Sequence, residues 1–253
     1  MIILVTNDDG IQSEGIQALA KSLADVGDVY VMAPDRERSA AAHALSLHSP
    51  LRVEEVEERW FAVDGTPTDC INLGVNSRTL LPSRPDIVVS GINKGANLAD
   101  DITYSGTVAG AMEGTLLGIP SFAVSLAGRH NYNWQPVANF AARTAEKIAQ
   151  HGMPADTLLN INAPNLSGES IRGVKLTRMG KRIYGDEIVE NVDPRGRKYY
   201  WIGGNELRHE EIEGSDINAV VAGFISVTPL HLDLTNYQGL DEMKDWSFEG
   251  WWE

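Results

Sequence analysis

The sequence predicts an α/β protein built on an open, mostly parallel sheet with helices on both faces, and three observations lead there. Its strand-like runs are unbroken apolar blocks, as strands buried on both faces require. From Ile2 to Asn162 these blocks alternate with segments of helical spacing. No repeat, low-complexity stretch or separating linker interrupts the 253 residues, a length that suits one large domain.

The elements follow in order. Ile2-Ile3-Leu4-Val5 is the first strand. After Asn7-Asp8-Asp9-Gly10, apolar residues at Ile16, Leu19, Ala20 and Leu23 keep helical spacing, and Gly27 stands where a helix would stop. Val29–Ala33 is a second strand closed by Pro34, so the opening reads as a βαβ unit. Asp69–Leu81 reads as a helix, Asp86–Ser90 as a buried strand, and Val108–Leu117 as a helix. Ser121–Ser125 and Leu158–Asn162 read as strands around a helix near Val137–Gln150. Arg172–Gly204 mixes charge, glycine and the aromatics Tyr199-Tyr200-Trp201 without helical period, which suggests projecting hairpins. Gly223–Thr228 is a late strand, followed by a tail holding Trp246, Trp251 and Trp252. The arrangement is Rossmann-like: one domain over 1–253, with its core at about 1–167 and 215–232. A hairpin extension would occupy about 168–214 and a C-terminal arm about 233–253.

Composition removes several classes of function. Twenty-one basic and 35 acidic residues leave a net charge of −14, which argues against sequence-independent binding to a nucleic-acid polymer. An anionic substrate would need a metal or helix N-termini to offset that field. A single cysteine excludes a disulfide framework and any cysteine-based zinc site. No apolar run reaches the ~20 residues of a membrane span, and the chain opens as strand rather than as a signal peptide. A cytoplasmic protein is expected.

In open parallel sheets ligands bind at the carboxyl ends of the strands. At the first such end stand Asp8 and Asp9, with no G-x-G-x-x-G fingerprint beyond them. Adjacent carboxylates suit a hard divalent cation; alternatively, one of them caps the first helix and the other faces solvent. The loop Pro34-Asp35-Arg36-Glu37-Arg38-Ser39 by itself reads as solvated. Gly91-Ile92-Asn93-Lys94-Gly95-Ala96-Asn97 offers neutral oxygens and close backbone approach. Tyr104-Ser105-Gly106-Thr107 opens a helix, where N–H groups and dipole favour a phosphate; simple capping is the alternative. Dicarboxylate and helix start together suggest metal-assisted phosphoester hydrolysis.

These residues carry a resemblance. Asn7-Asp8-Asp9-Gly10, Ala33-Pro34-Asp35-Arg36 with Arg38-Ser39, Gly65-Thr66-Pro67-Thr68-Asp69-Cys70, Pro85 to Asn93, Tyr104 to Thr107, and Thr228-Pro229-Leu230-His231 stand in the order found in the SurE (survival protein E) family of 5'/3'-nucleotidases. The resemblance implies a phosphoric monoester hydrolase acting on nucleoside 5'- and 3'-monophosphates with one divalent cation per subunit, Mg2+ or Mn2+. It places metal ligands on Asp8, Asp9, Ser39 and Asn93, and phosphate contacts on Asn97, Ser105, Gly106 and Thr107. Asp8, Asp9 and Asn97 would carry catalysis. It further implies a homodimer or homotetramer. Ala96 and Ala99 depart from a frequent proline and glycine of the family, and Ala44 from a frequent serine. Two rivals remain: a broader phosphatase acting mainly on short-chain polyphosphate, and a non-catalytic metal- or nucleotide-binding stress regulator. Lesser candidates are His231 with Asp233 for proton transfer, Lys94 for phosphate, and Cys70 as an inert start of a buried helix face.

Overall fold

The apolar run at the start of the chain forms β1 (Ile2–Thr6), and the elements that position the site are arranged around it. The structure, a computed structural model, describes residues 1–39, 42–183, 188–202 and 208–252. Parts of the extension at 184–187 and 203–207, and residue 253 of the arm, lie outside the described residues.

β1 pairs in parallel with β2 (Asp28–Pro34) on one side and with β5 (Ile87–Lys94) on the other. Outward from β2 lie β4 (Trp60–Val63) and, antiparallel to it, β3 (Val53–Glu57). Outward from β5 lie β6 (Ser121–Ala127) and β7 (Thr157–Pro164), both parallel. β13 (Ile225–His231) then runs antiparallel to β7 and carries β8 (Val174–Leu176) at its far side. The described order is β3-β4-β2-β1-β5-β6-β7-β13-β8. The chain leaves β1 in one direction and returns through β5 in the other, so the crevice of this sheet opens between those two strand ends.

Helices cover both faces. Ser13 caps α1 (Glu14–Leu23) by accepting a hydrogen bond from the Ile16 N–H. Ile16, Leu19 and Leu23 are fully buried, each worth roughly 1.5–3 kcal/mol. They share one core cluster with Ile3, Val5 and the alanines of α4 (Trp134–His151). The other face packs Leu4, Met32 and Val88 against Cys70, Ile71 and Val75 of α2 (Pro67–Asn76). A capping box of Thr66 and Asp69 with Pro67 in the first turn starts α2 earlier than the apolar period suggests. It ends at Asn76 rather than near Leu81, because Ser77 turns to extended backbone and its hydroxyl accepts from the Thr79 N–H ahead of it.

α3 (Gly106–Leu116) presents Gly106, Gly110 and Gly114 to the sheet, four residues apart on one helical face. A Cβ at Gly110 would stand 2.8 Å from Thr6 Cγ2 and 2.9 Å from Ser90 Oγ. This seam of missing side chains lets α3 lie directly on the strands. A 3-10 turn at Ala99–Tyr104 leads into it.

Several elements escape the sequence pattern. The β3–β4 pair is rich in exposed glutamates, and α5 (Asp216–Val221) is too short for its period to show. β5 runs on to Lys94 with a bulge between Ser90 and Asn93, so Asn93 belongs to the strand rather than to the loop after it. Within the aromatic stretch, β9 (Arg182–Ile183) pairs with β12 (Arg208–His209), and β10 (Ile188–Val192) with β11 (Lys198–Ile202), which exposes Tyr199, Tyr200 and Trp201. α6 (Tyr237–Glu242) buries none of its residues.

Candidate active site

Asn7 shapes the turn that ends β1. Its buried amide donates to the Gly10 carbonyl at 3.1 Å and to Ser13 Oγ at 2.7 Å. Ser13 in turn caps α1, so neither Asp8 nor Asp9 does. Gly10 takes φ +93°, and a side chain there would meet the Arg36 backbone at 3.0 Å. That close approach holds the 34–39 loop against the turn: Ile11 N–H donates to the Pro34 carbonyl at 2.9 Å, and Arg38 N–H to the Asp8 carbonyl at 2.7 Å.

Asp8 is 5% exposed and accepts a hydrogen bond from the Thr107 hydroxyl. Burial pushes its carboxyl up to about 6; the Thr107 hydrogen bond opposes this and the Asp9 charge adds to it. Asp9 accepts from the Lys94 N–H at 3.0 Å. Burial raises its carboxyl too, against the pull of the Lys94 N–H and charge and with the push of Glu37. Two adjacent carboxylates, both displaced upward, form a site whose electrostatics improve when a cation enters.

The structure brings most of the sequence-predicted residues together. Gly106 stands against Asp8, where a Cβ would lie 2.9 Å from its Cβ and Oδ2. Ser105 caps α3, its Oγ accepting from the Val108 N–H at 3.1 Å. With Ser105 capping and both the hydroxyl and the N–H of Thr107 turned to Asp8, the first-turn donor left for an anion at this helix start is the Gly106 N–H. Asn93 is tied in through its neighbour Lys94, and its Nδ2 donates to the Gly95 carbonyl at 3.0 Å. Ser39 follows Arg38 on the abutting loop, exposed, with its hydroxyl donating to Glu37 at 2.7 Å. Asn97 is the exception: it is buried, and its hydrogen bonds run to β6 and β7 rather than to the aspartates. No group of three or more His, Cys, Asp or Glu side chains that could hold a metal occurs among the described residues. A cation here would therefore rely on two carboxylates and neutral oxygens.

Other candidates fall away. β13 is antiparallel to β7, and its register pairs His231 with Thr157, the first residue of β7. His231 thus lies at the amino edge of the parallel strands, opposite the crevice, where its Nδ1 accepts from the Asp233 N–H at 3.3 Å. Cys70 is fully buried, and burial pushes its thiol far up. Sequence reasoning missed Glu37, whose charge bears on Asp9, and the buried polar set Ser125, Asn160 and Asn162. Two asparagines at alternate positions of an otherwise apolar strand were the available signal for that set. Five of the six buried side-chain polar atoms without a partner among the described residues belong to Thr6, Asn7, Arg38, Thr68 and Ser90. Asn7 and Arg38 flank the aspartate turn, and Thr6 and Ser90 are paired across β1 and β5.

The family model described as survival protein SurE matches residues 3–186. The 5'-nucleotidase SurE of Geobacter sulfurreducens is 60% identical over 247 residues, covering 97% of this chain and 94% of that relative. The 5'-nucleotidase SurE of Myxococcus xanthus is 54% identical over 249 residues, covering 98% and 94%. The crystal structure of the SurE protein from Aquifex aeolicus superposes with a TM-score of 0.85 at 46% identity, covering 96% of this chain and 98% of that one.

Proposed function

Because the chain belongs to the survival protein SurE family, we propose that it is a 5'-nucleotidase, a divalent-metal-dependent phosphatase that converts nucleoside 5'- and 3'-monophosphates to nucleoside and phosphate. The observation that carries this reading is the meeting of the α3 N-terminus with Asp8 at the crevice between β1 and β5. Asp8, Asp9, Ser39 and Asn93 would hold the cation, Mg2+ or Mn2+. Their donors are all oxygens, and two of them are carboxylates driven upward by burial, a set that fits a hard ion. When bound, the cation supplies positive charge against the carboxylates and the phosphoryl oxygens.

The chain's own groups do the rest. The Thr107 hydroxyl fixes the Asp8 carboxylate in one orientation. Ser105 closes the first turn of α3 and the Thr107 N–H is turned to Asp8, which leaves the Gly106 N–H and the partial positive charge of the helix start as the donors that meet a phosphate oxygen as negative charge builds on it. These donors and the cation offset the −14 field that otherwise repels an anion. Phosphate release should appear with nucleoside 5'- and 3'-monophosphates plus Mg2+ or Mn2+, and stop in chelator. Faster release from short-chain polyphosphate than from every nucleotide would replace this reading with a broader phosphatase.

No helix among the described residues is long and apolar enough to cross a membrane. The substrate proposed is a small molecule, and the protein would act in the cytoplasm, which fractionation would check. The partner proposed is a second copy, as a homodimer or homotetramer. Leu234, Tyr237, Leu240, Trp246, Phe248, Trp251 and Trp252 are all exposed along the C-terminal arm. Aromatic side chains carry ~150–250 Å² each and are normally buried. Deleting residues 235–253 should lower the subunit count seen by light scattering; an unchanged count refutes the role of the arm.

A further inference from the structure

We propose that Ser125, Asn160 and Asn162 are positioning residues that hold Asn97 in the orientation needed to bind phosphate. This rests on the phosphate contact that the family resemblance implies for Asn97. Ser125 and Asn162 are direct neighbours across β6 and β7, and Asn160 stands two residues earlier on the same face. All three are fully buried. Asn162 Oδ1 accepts from the Asn97 N–H at 2.8 Å. The Nδ2 groups of Asn160 and Asn162 donate to the Asn97 carbonyl at 2.8 and 2.9 Å. Ser125 Oγ accepts from Asn97 Nδ2 at 2.8 Å.

Three buried polar side chains from two strands thus converge on one residue. If their task were only to fill space, apolar residues of similar shape would serve at lower desolvation cost. The arrangement even leaves Asn160 Oδ1 buried with no partner among the described residues. Its consequence is chemical. A carboxamide nitrogen has two hydrogens. Ser125 takes one, which sets the amide plane and keeps oxygen and nitrogen from exchanging places. The second hydrogen is then left for an anion, while the backbone bonds prevent the loop from drawing Asn97 away.

The test is a cycle of Ser125→Ala, Asn97→Ala and the double variant. Its readouts are calorimetric binding of inorganic phosphate with Mg2+ present, kcat/KM on a nucleoside 5'-monophosphate, and thermal midpoint. Ser125→Ala should weaken phosphate binding about tenfold, as loss of one positioning hydrogen bond allows. Ser125→Thr, which restores the hydroxyl, should recover most of that loss. In the Asn97→Ala background, Ser125→Ala should change phosphate affinity by less than twofold. An equal tenfold loss in both backgrounds, or no loss in either, overturns the proposal. Because phosphate binding is read without turnover, a parent protein that binds phosphate but releases none from nucleotides would count against the functional reading alone.

Discussion

Asp8→Asn and Asp9→Asn should each lower turnover by about three orders of magnitude, the equivalent of about 4 kcal/mol of lost charge stabilisation. The loss should be largely insensitive to added Mg2+ or Mn2+. Full activity of either variant in chelator would remove the metal from the reaction. Folding stability should move the opposite way. Burial pushes the Asp8 carboxyl from its ordinary 3.8 up to about 6 in the folded chain. Between those values the folded state binds more protons than the unfolded one. Metal-free stability therefore falls as pH rises through that window, and the whole penalty, about 3 kcal/mol, is present above it. Asp8→Asn removes the ionisation, so in chelator the variant should be more stable than the parent at neutral pH. Its stability should also slope less steeply between pH 4 and 6, with the remainder due to Asp9. Added cation should stabilise the parent increasingly as pH rises, because binding needs ionised carboxylates. Denaturant titrations across pH with identical slopes for parent and Asp8→Asn would show that burial does not load this carboxyl.

Gly106→Val should be nearly as damaging to kcat/KM as loss of an aspartate, a hundredfold or more on the scale of one lost oxyanion donor. The new Cβ would fall 2.9 Å from Asp8 Cβ and Oδ2, so either the aspartate or the first turn of α3 must move. Gly110→Val supplies the control. It overpacks the same helix against Thr6 and Ser90 one turn further on, at a similar stability cost of about 1–3 kcal/mol. Its kinetic defect should be much smaller than that of Gly106→Val at a matched thermal midpoint. Thr107→Ser keeps a hydroxyl for Asp8 and should lose only a few-fold. Equal defects for Gly106→Val and Thr107→Ser would reduce the helix start to its capping role.

Local pattern was enough to single out most of the candidate site residues. Asp8, Asp9, Asn93 and Ser105–Thr107 follow buried apolar runs or open a helix, and a parallel sheet gathers strand ends along one edge. Ser39 was different: its loop carries no periodicity, and only the resemblance singled it out. Glu37, two residues earlier, gave no local sign that its charge would bear on Asp9. The glycine seam of α3 is visible as a spacing of four, yet what it admits, Asp8 at one end and Thr6 with Ser90 further along, depends on which strands lie beneath.

The sequence by itself determined the α/β class, the succession along the chain of β1, β2, β5, β6 and β7 with the helices between them, and the candidate residues Asp8, Asp9, Asn93 and Ser105–Thr107. Hydrophobic period, caps and turn residues act over a few positions, so they can be read without knowing the fold. Only the tertiary structure decided the direction of β13, which sends His231 to the opposite edge. It also decided the grip of Asn160 and Asn162 on Asn97, more than sixty residues away, and the Thr107–Asp8 hydrogen bond across 99 residues. Such contacts depend on which chain segments are packed side by side. Strand order and register set that, and no local propensity encodes it.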